Sequence, residues 1–341
     1  MTPEEEGAPA RERRPTLADV AAAARVSTST ASRALRDSPL VRPATRQRVV
    51  AASKLLGFEP DRLARSLRTR ASLFVGVIVP DVATIFYAAA LKGAQCVFEA
   101  AGYQVLVMDS ERDADREAEN LRTLLAHRVD GILLATSGGF EAPQDVPVVF
   151  FDQVGFGAGV GNVAVENRGG MELLVGHLLE HGHRRIAFVG APTGLTSATE
   201  RLDAFLAVLR EAGINPGDDD VRLADAVWSE ASGERAMREH LARAEPPTAV
   251  VAASDTLAVG ALRAIRAAGL AVPADVALVS FDDPLYGDLL DPPVTALSRH
   301  DRELGERAAR LLLATLANGA AEPAEVRVSA ELIVRRSCGC E

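Results

Sequence analysis

From Leu73 onward the chain repeats one rhythm, a short apolar run followed by an amphipathic stretch of helical period. LFVGVIVP, YQVLVMDS, VDGILLAT and VPVVFFDQV read as strands, and ATIFYAAALKGAQCVFEAAG and DREAENLRTLLAHR between them read as helices. A second series follows: GGMELLVGHLLEHG, RRIAFVGA, RLDAFLAVLREAG, DVRLADAVW, GERAMREHLARA, TAVVAAS, DTLAVGALRAIRAAG and DVALVSFDD. Apolar strands regularly separated by helices bury both faces, which requires a parallel sheet covered by helices on each side. Two such series in tandem predict an α/β body of two doubly wound lobes. Their strands' carboxyl ends would enclose a cleft, the usual ligand site of this architecture.

The first seventy residues do not share that rhythm, and their charge is opposite. Over 11–70 there are 14 Lys and Arg against five acids (Glu12, Asp19, Asp37, Glu59 and Asp61), close to +9; the whole chain is −10, so the remainder holds about −19. A basic module joined to an acidic body points to a polyanion that binds the module alone. Within PTLADVAAAARVSTSTASRAL, Thr16 and Asp19 have the spacing of a capping box, and Leu17, Val20, Ala21 and Ala24 share one helical face. The helix ends near Ala24, Arg25-Val26 turns, and Ser27 caps a second helix running to about Leu35. Two short helices joined by a tight turn, with alanines where they cross, make an all-α helix-turn-helix. Thr28, Ser29 and Ser32 then stand at the exposed start of the second helix, short enough to let it approach base edges, and Arg33 can reach phosphate or guanine. Pro43 opens a third helix whose packing face is expected from Val49, Val50, Ala52, Leu55 and Leu56.

From Pro15 to Arg70 the sequence resembles the headpiece of the lactose/galactose-repressor (LacI/GalR) family, whose T-hydrophobic-x-D-V-A-x-x-A-G-V-S-x-x-T-V-S-R-x-L pattern is largely present. Arg25 stands in place of the usual turn glycine and Arg42 in place of a usual cap serine. The resemblance implies that Thr28 and Ser29 specify sequence, while Thr16, Ser27, Thr30, Ser32 and Arg33 position the helix on double-stranded operator DNA. It further implies that PDRLARSLRTR is a hinge helix, with Arg62, Ala64 and Leu67 at the DNA and Leu67 wedged into a minor-groove step. The body resembles the family's two-lobed, periplasmic-binding-protein-like sensor. The implied organisation is a disordered tail over 1–13, a headpiece over 14–59, a hinge over 60–71 and a sensor over 72–337. In the sensor an N-subdomain would take about 72–164 and 299–322, and a C-subdomain about 165–298 and 323–337. In the cleft the resemblance places Arg201 and Asp282 on opposite walls to grip a polyol bidentately, Trp228 as a ring packed on the ligand, and Phe86 and Tyr87 as an aromatic pair on the other lobe. Asp152 and Asp255 are further candidates, and Ser254 replaces a common asparagine. A sugar is the expected effector, with a nucleoside or purine as the alternative. No heptad-bearing segment follows Glu341, so a homodimer is expected.

Other signals point elsewhere or nowhere. The start MTPEEEGAPARERR has acids where a signal peptide needs bases, and no run of 18 apolar residues occurs, so a cytoplasmic protein without a membrane span is expected. Three cysteines without framework spacing argue against disulfides. The terminal CGC pair could bind metal or act in redox chemistry, but its neighbours in sequence offer no further ligand. His177 and His181 have a metal-competent i, i+4 spacing without a third ligand, and they read with His183 as helix-end or surface residues; no metal or cofactor is expected. GFGAGVG at 155–161 reads as a loop. No G-x-S-x-G, Walker loop or strand-following G-x-G-x-x-G is present, so an enzyme is not expected. A solute-binding protein without DNA activity is the remaining rival, and the helix-turn-helix disfavours it.

Overall fold

The computed structural model describes residues 15–35, 37–58, 71–136, 138, 143, 145–154, 161–192, 194–217, 220–223, 228–318 and 325–340. The expected tail over 1–13 and the hinge residues Arg62, Ala64 and Leu67 lie outside them. The chain divides into two compact units, Met1–Ser72 and Leu73–Glu341.

In the first unit, α1 (Leu17–Ala23), α2 (Thr28–Leu35) and α3 (Pro43–Leu56) enclose a small core of Val20, Ala21, Ala24, Ala31, Ala34, Val41, Val49 and Ala52. The alanines hold the helices at short range, since a longer side chain at any of these crossings would force them apart. The expected packing face of α3 is only half right. Val49, Ala52 and Ser53 are buried, whereas Val50, Leu55 and Leu56 are exposed, Leu55 by 86%. At 3.6 residues per turn, Val50 and Leu55 fall about 110° to either side of the buried stripe, and Leu56 lies in the last turn where the core has ended.

The second unit contains two six-stranded sheets. The first comprises β1 (Phe74–Val79), β2 (Gln104–Asp109), β3 (Gly131–Leu134), β4 (Val148–Phe151), β5 (Gly161–Val165) and β11 (Glu325–Val328), in the order β11-β5-β4-β3-β1-β2 and parallel throughout. The second comprises β6 (Ile186–Gly190), β7 (Val221–Leu223), β8 (Ala249–Ala252), β9 (Ala277–Ser280), β10 (Thr295–Ser298) and β12 (Glu331–Ile333), in the order β12-β10-β9-β8-β6-β7, parallel except for β12 on β10. Helices α4 (Ile85–Ala100), α5 (Ala114–Ala126) and α10 (Asp301–Asn318) pack on the first sheet. Helices α6 (Asn167–Glu180), α7 (Thr196–Glu211), α8 (Glu230–Leu241) and α9 (Asp255–Ala267) belong to the second. Each sheet reverses its winding beside its first strand, at β1/β3 and β6/β8, which opens a crevice at the carboxyl ends.

Several elements depart from the expected pattern. Gly161 opens β5 instead of closing a loop, and β10 and α10 extend the rhythm past DVALVSFDD. The strand expected over DVRLADAVW is described only as Val221–Leu223, with 224–227 outside the described residues. VRVSAELIV carries two strands: β11 pairs with β5 in the first sheet and β12 with β10 in the second. Residues 325–328 therefore lie on the N-subdomain's sheet, not in the C-subdomain. Among the described residues the chain passes between lobes three times, at Val165–Asn167, Ser298–Asp301 and Val328–Glu331. Helix α10 returns tightly against α4: a Cβ on Gly305 would stand 1.9 Å from the Ala90 carbonyl oxygen, and one on Gly93 2.0 Å from that of Arg302. Only glycine permits that approach.

Candidate nucleic-acid interface and ligand cleft

The capping box at the start of α1 forms: Thr16 Oγ1 accepts from Asp19 N at 3.4 Å, and Asp19 Oδ2 accepts from Thr16 N at 2.7 Å. Arg25 takes the left-handed turn position with φ 52°, closing the turn through Val26 N to Ala21 O at 2.9 Å. The expected glycine is absent, yet its conformation is retained. Ser27 Oγ accepts from Thr30 N at 3.2 Å and lies 2.9 and 2.8 Å from the Ser29 and Thr30 hydroxyls. Ala31 and Ala34 anchor α2 in the core, which turns Thr28, Ser29 and Arg33 outward to solvent and leaves Thr30 and Ser32 half-buried. Thr16 and Ser27 are exposed beside them. The result is a helix of short hydroxyl side chains presented on a rigid support, in the geometry that major-groove reading demands. Helix α3 begins at Arg42-Pro43 with no side-chain cap.

In the second unit a cavity of about 610 Å³ lies between the lobes. Its lining follows from the topology, because most wall residues sit at or just past a strand's carboxyl end or in the first turns of the next helix. Asp152 and Gln153 follow β4, Ser254 and Asp255 follow β8, Asp282 and Asp283 follow β9, and Arg299 and His300 follow β10. Phe86 and Tyr87 open α4, Arg201 lies in α7, and half-buried Trp228 precedes α8. All seven side chains expected at the ligand therefore line one cavity.

Arg201 is 3% exposed and held on three sides: Nε donates to Asn167 Oδ1 at 2.9 Å, Nη1 donates to Ala253 O at 2.7 Å, and Nη1 lies 3.5 Å from Asp282 Oδ1. The guanidinium stacks 3.9 Å from the Phe281 ring centre and 5.8 Å from that of Trp228. Burial pulls its pKa below the usual arginine value despite the Asp282 charge. Arg299, a residue the sequence reading did not single out, faces it across the same carboxylate. Its Nη1 is 2.9 Å from Asp282 Oδ1, its Nε 3.3 Å from Asp301 Oδ1, and its guanidinium 4.3 Å from the Phe86 ring centre. Neither arginine is aligned for a hydrogen bond to Asp282 Oδ1, and that oxygen is buried and held by the two cations through charge alone. The signal for Arg299 was available in SRHD, a polar cluster immediately after a buried strand.

The opposite wall is built from Tyr87, whose hydroxyl donates to Asp152 Oδ2 at 3.0 Å. Asp152 also accepts from Gln153 Nε2 at 3.2 Å and adopts φ 71°, a left-handed conformation of the kind that concentrates at functional sites. Burial raises the Asp152 pKa, and the charges of Arg201 and Arg299 counter it. Asp255 is raised to about 6 by burial and then by the neighbouring Asp282 carboxylate. Ser254 serves as the cap of α9, its Oγ accepting from Leu257 N at 3.3 Å. Gln153 bridges the lobes, donating to Ser197 Oγ at 3.0 Å while its Oε1 accepts from Thr196 N at 2.9 Å.

Comparison with known proteins accords with both sites. Residues 16–61 match the model of bacterial regulatory proteins of the lacI family, and residues 175–338 match a periplasmic binding protein-like domain. The chain is 35% identical to the HTH-type transcriptional regulator CelR of Thermobifida fusca, over 96% of this chain and 99% of that protein. It is 32% identical to the ribose operon repressor of Escherichia coli (strain K12), over 87% and 92% respectively. Among solved structures, the lac repressor dimer bound to operator and the anti-inducer ONPF superposes with a TM-score of 0.85 at 28% identity, covering 96% of this chain and 99% of that one. The complex of CelR with cellobiose gives a TM-score of 0.71 at 32% identity, covering 95% of this chain and 100% of that one. With the helix-turn-helix, the two-lobed body and these relatives in agreement, the chain belongs to the lacI family of bacterial regulatory proteins and is a DNA-binding transcriptional regulator, not an enzyme.

Proposed function

We propose that this regulator is a cytoplasmic, homodimeric repressor that grips a pseudo-palindromic operator through one α2 helix per half-site and is controlled by a neutral sugar in the interlobe cavity. The observation that supports the sugar is the charge of the wall. Six aspartates (Asp81, Asp152, Asp255, Asp282, Asp283 and Asp301) line the cavity against three arginines (Arg112, Arg201 and Arg299). An anionic sugar phosphate would meet net repulsion there, whereas sugar hydroxyls would donate to carboxylates such as Asp282 and accept from guanidinium groups. Phe86 and Trp228 offer apolar faces of the kind that cover a sugar ring. The solved complex of the related CelR with cellobiose and the operator-bound dimer of lac repressor support the same assignment. In the described residues no helix is long and apolar enough to cross a membrane.

A thermal-shift screen of the purified protein against neutral mono- and disaccharides, sugar phosphates, nucleosides and purines tests this reading. A neutral saccharide at a hundred times its dissociation constant adds about 2.7 kcal/mol and raises Tm visibly. A response confined to phosphorylated sugars, nucleosides or purines rejects the assignment. As a second arm, Arg201→Ala abolishes the effector response while operator binding survives. A retained response removes Arg201 from the site.

A further inference from the structure

The two ligand-like signals that lie 157 or more residues apart in sequence, HLLEH and CGC, meet in space. Helix α6 ends at Glu180 with His181 as its C-cap, so His177 and His181 project from the same face one turn apart, with ring centres 4.4 Å apart. The chain terminus is brought to them by a short 3-10 turn over Arg336–Cys338. Ser337 fixes that turn: its Oγ donates to Leu278 O at 2.5 Å and accepts from Thr295 N at 2.8 Å, and its own N donates to Pro293 O at 3.0 Å. Gly339 then takes φ 96°, a conformation no L-residue holds without strain, and turns Cys340 back toward the helix. Cys340 Sγ lies 3.4 Å from His177 Nε2 and 3.0 Å from His181 Nε2. The ligand atoms of His177, Cys338 and Cys340 all fall within 4.8 Å of one another.

We propose that His177, His181, Cys338 and Cys340 form a binding site for a zinc-type divalent cation. Tetrahedral zinc with Zn–S of about 2.3 Å and Zn–N of about 2.05 Å spans S···N edges of about 3.6 Å, so small side-chain rotations would bring His177, Cys338 and Cys340 to coordination distance, and His181, placed against Cys340 Sγ, would turn in as the fourth ligand. Two sulfurs and two imidazoles are a donor set typical of structural zinc. The supporting bonds fit as well. His181 Nδ1 is 2.8 Å from the His177 carbonyl, which fixes its proton there and leaves the Nε2 lone pair toward Cys340. Thr295 Oγ1 accepts from Arg335 N at 2.9 Å and so directs its own proton to Cys338 Sγ at 3.2 Å, which holds that sulfur in place. The carboxyl end of α6 adds the negative end of a helix dipole. His183 takes no part, because its Nδ1 sits 3.1 Å from Thr248 Oγ1. On binding, two thiol protons are released and the tail is clamped to α6, whose first residue, Asn167, holds Arg201 in the cavity wall.

The test is a Co²⁺ titration of the full chain, purified in chelator and a phosphine reductant and then freed of chelator. The expected result is one equivalent bound with a thiolate-to-cobalt charge-transfer band and intense visible bands of a tetrahedral centre, both removed stoichiometrically by Zn²⁺. Cys340→Ser and His181→Gln each weaken binding by about a hundredfold or more, since loss of a supporting group alone costs about 10–100-fold. Cys96→Ser, which removes an exposed cysteine on α4, leaves binding intact. Circular dichroism of each variant separates lost metal from lost fold, and half-exposed Cys340 is chosen over buried Cys338 for that reason. Weak binding without the charge-transfer band, binding retained in Cys340→Ser, or no binding overturns the proposal.

Discussion

Arg299 is 7% exposed, and the carboxylates of Asp282, Asp301, Asp152 and Asp255 surround it. Burial alone would lower its pKa, but those four charges outweigh it and hold the pKa above the usual arginine value. Arg299→Ala strands several buried carboxylates at once, so the second unit should lose about 3–5 kcal/mol at pH 7. The loss should shrink near pH 5, where Asp255, raised to about 6, takes up a proton. Urea unfolding at the two pH values measures this, and an equal cost at both denies the carboxylates their role. His240 gives a second test at this scale. It is fully buried on α8, its Nε2 is 3.2 Å from Phe188 O, and burial lowers its pKa to about 4. An imidazole lowered from an ordinary 6.5 stays neutral in the fold while the unfolded chain protonates. Its contribution is therefore complete above about pH 6.5 and disappears as pH falls toward 4, a change of roughly 3 kcal/mol. His240→Phe should flatten the stability profile across that window. At this scale, the family resemblance expected Arg201, Asp282 and the aromatic residues in the cleft, and they line its wall; Arg299 was missed although SRHD marks a polar cluster after a buried strand, and Gln153 because its bridge exists only once the two lobes meet.

Two positions in the headpiece show how helix ends tolerate unfavourable residues when the core is sound. Arg25 occupies a left-handed turn at φ 52°, which costs a non-glycine residue about 1–2 kcal/mol. Arg42 leaves the start of α3 without a side-chain cap. Arg25→Gly and Arg42→Ser should each stabilise the headpiece by about 1 kcal/mol, the first by relieving strain and the second by supplying an acceptor. Amide exchange of buried Val20, Ala31 and Val49 reads the effect, and unchanged protection counts against it. The sequence made these elements legible because caps, turn and apolar period agree over residues 16–35. It was less legible where apolar content and burial part company. Leu55 and Val50 looked like core but face solvent, and GNVAV, short and begun by glycine, did not read as the strand it is. Nothing local in VRVSAELIV marks the passage from one sheet to the other at Val328–Glu331.

Across the whole sensor, the segments that pass between lobes are tied together beside the cavity wall. Arg327, at the end of the first sheet's edge strand, makes a two-pronged bridge to Glu200 on α7, at 2.7 and 2.8 Å. Glu200 also accepts from Asn167 Nδ2 at 2.6 Å, and Asn167 in turn accepts from Arg201 Nε. One carboxylate therefore joins two of the three crossovers to the residue proposed to grip the effector. Burial would raise the Glu200 pKa, but the bonds from Arg327 and Asn167 outweigh it and hold it below the ordinary value, so the bridge is intact at neutral pH. Lobe motion about the crossovers must load this bracket, since its partners sit on both sides of the hinge. Glu200→Gln keeps an acceptor for Asn167 but removes the charge that Arg327 grips. The effector should still bind the variant within a few-fold, because the cavity wall is untouched. Its effect on operator affinity, a coupling of about 1–3 kcal/mol in systems of this kind, should fall toward zero. Operator affinity measured with and without saturating effector decides it. Coupling equal to that of the parent would place the transmission elsewhere, whereas its loss together with effector binding would make Glu200 a part of the binding wall and not of the hinge.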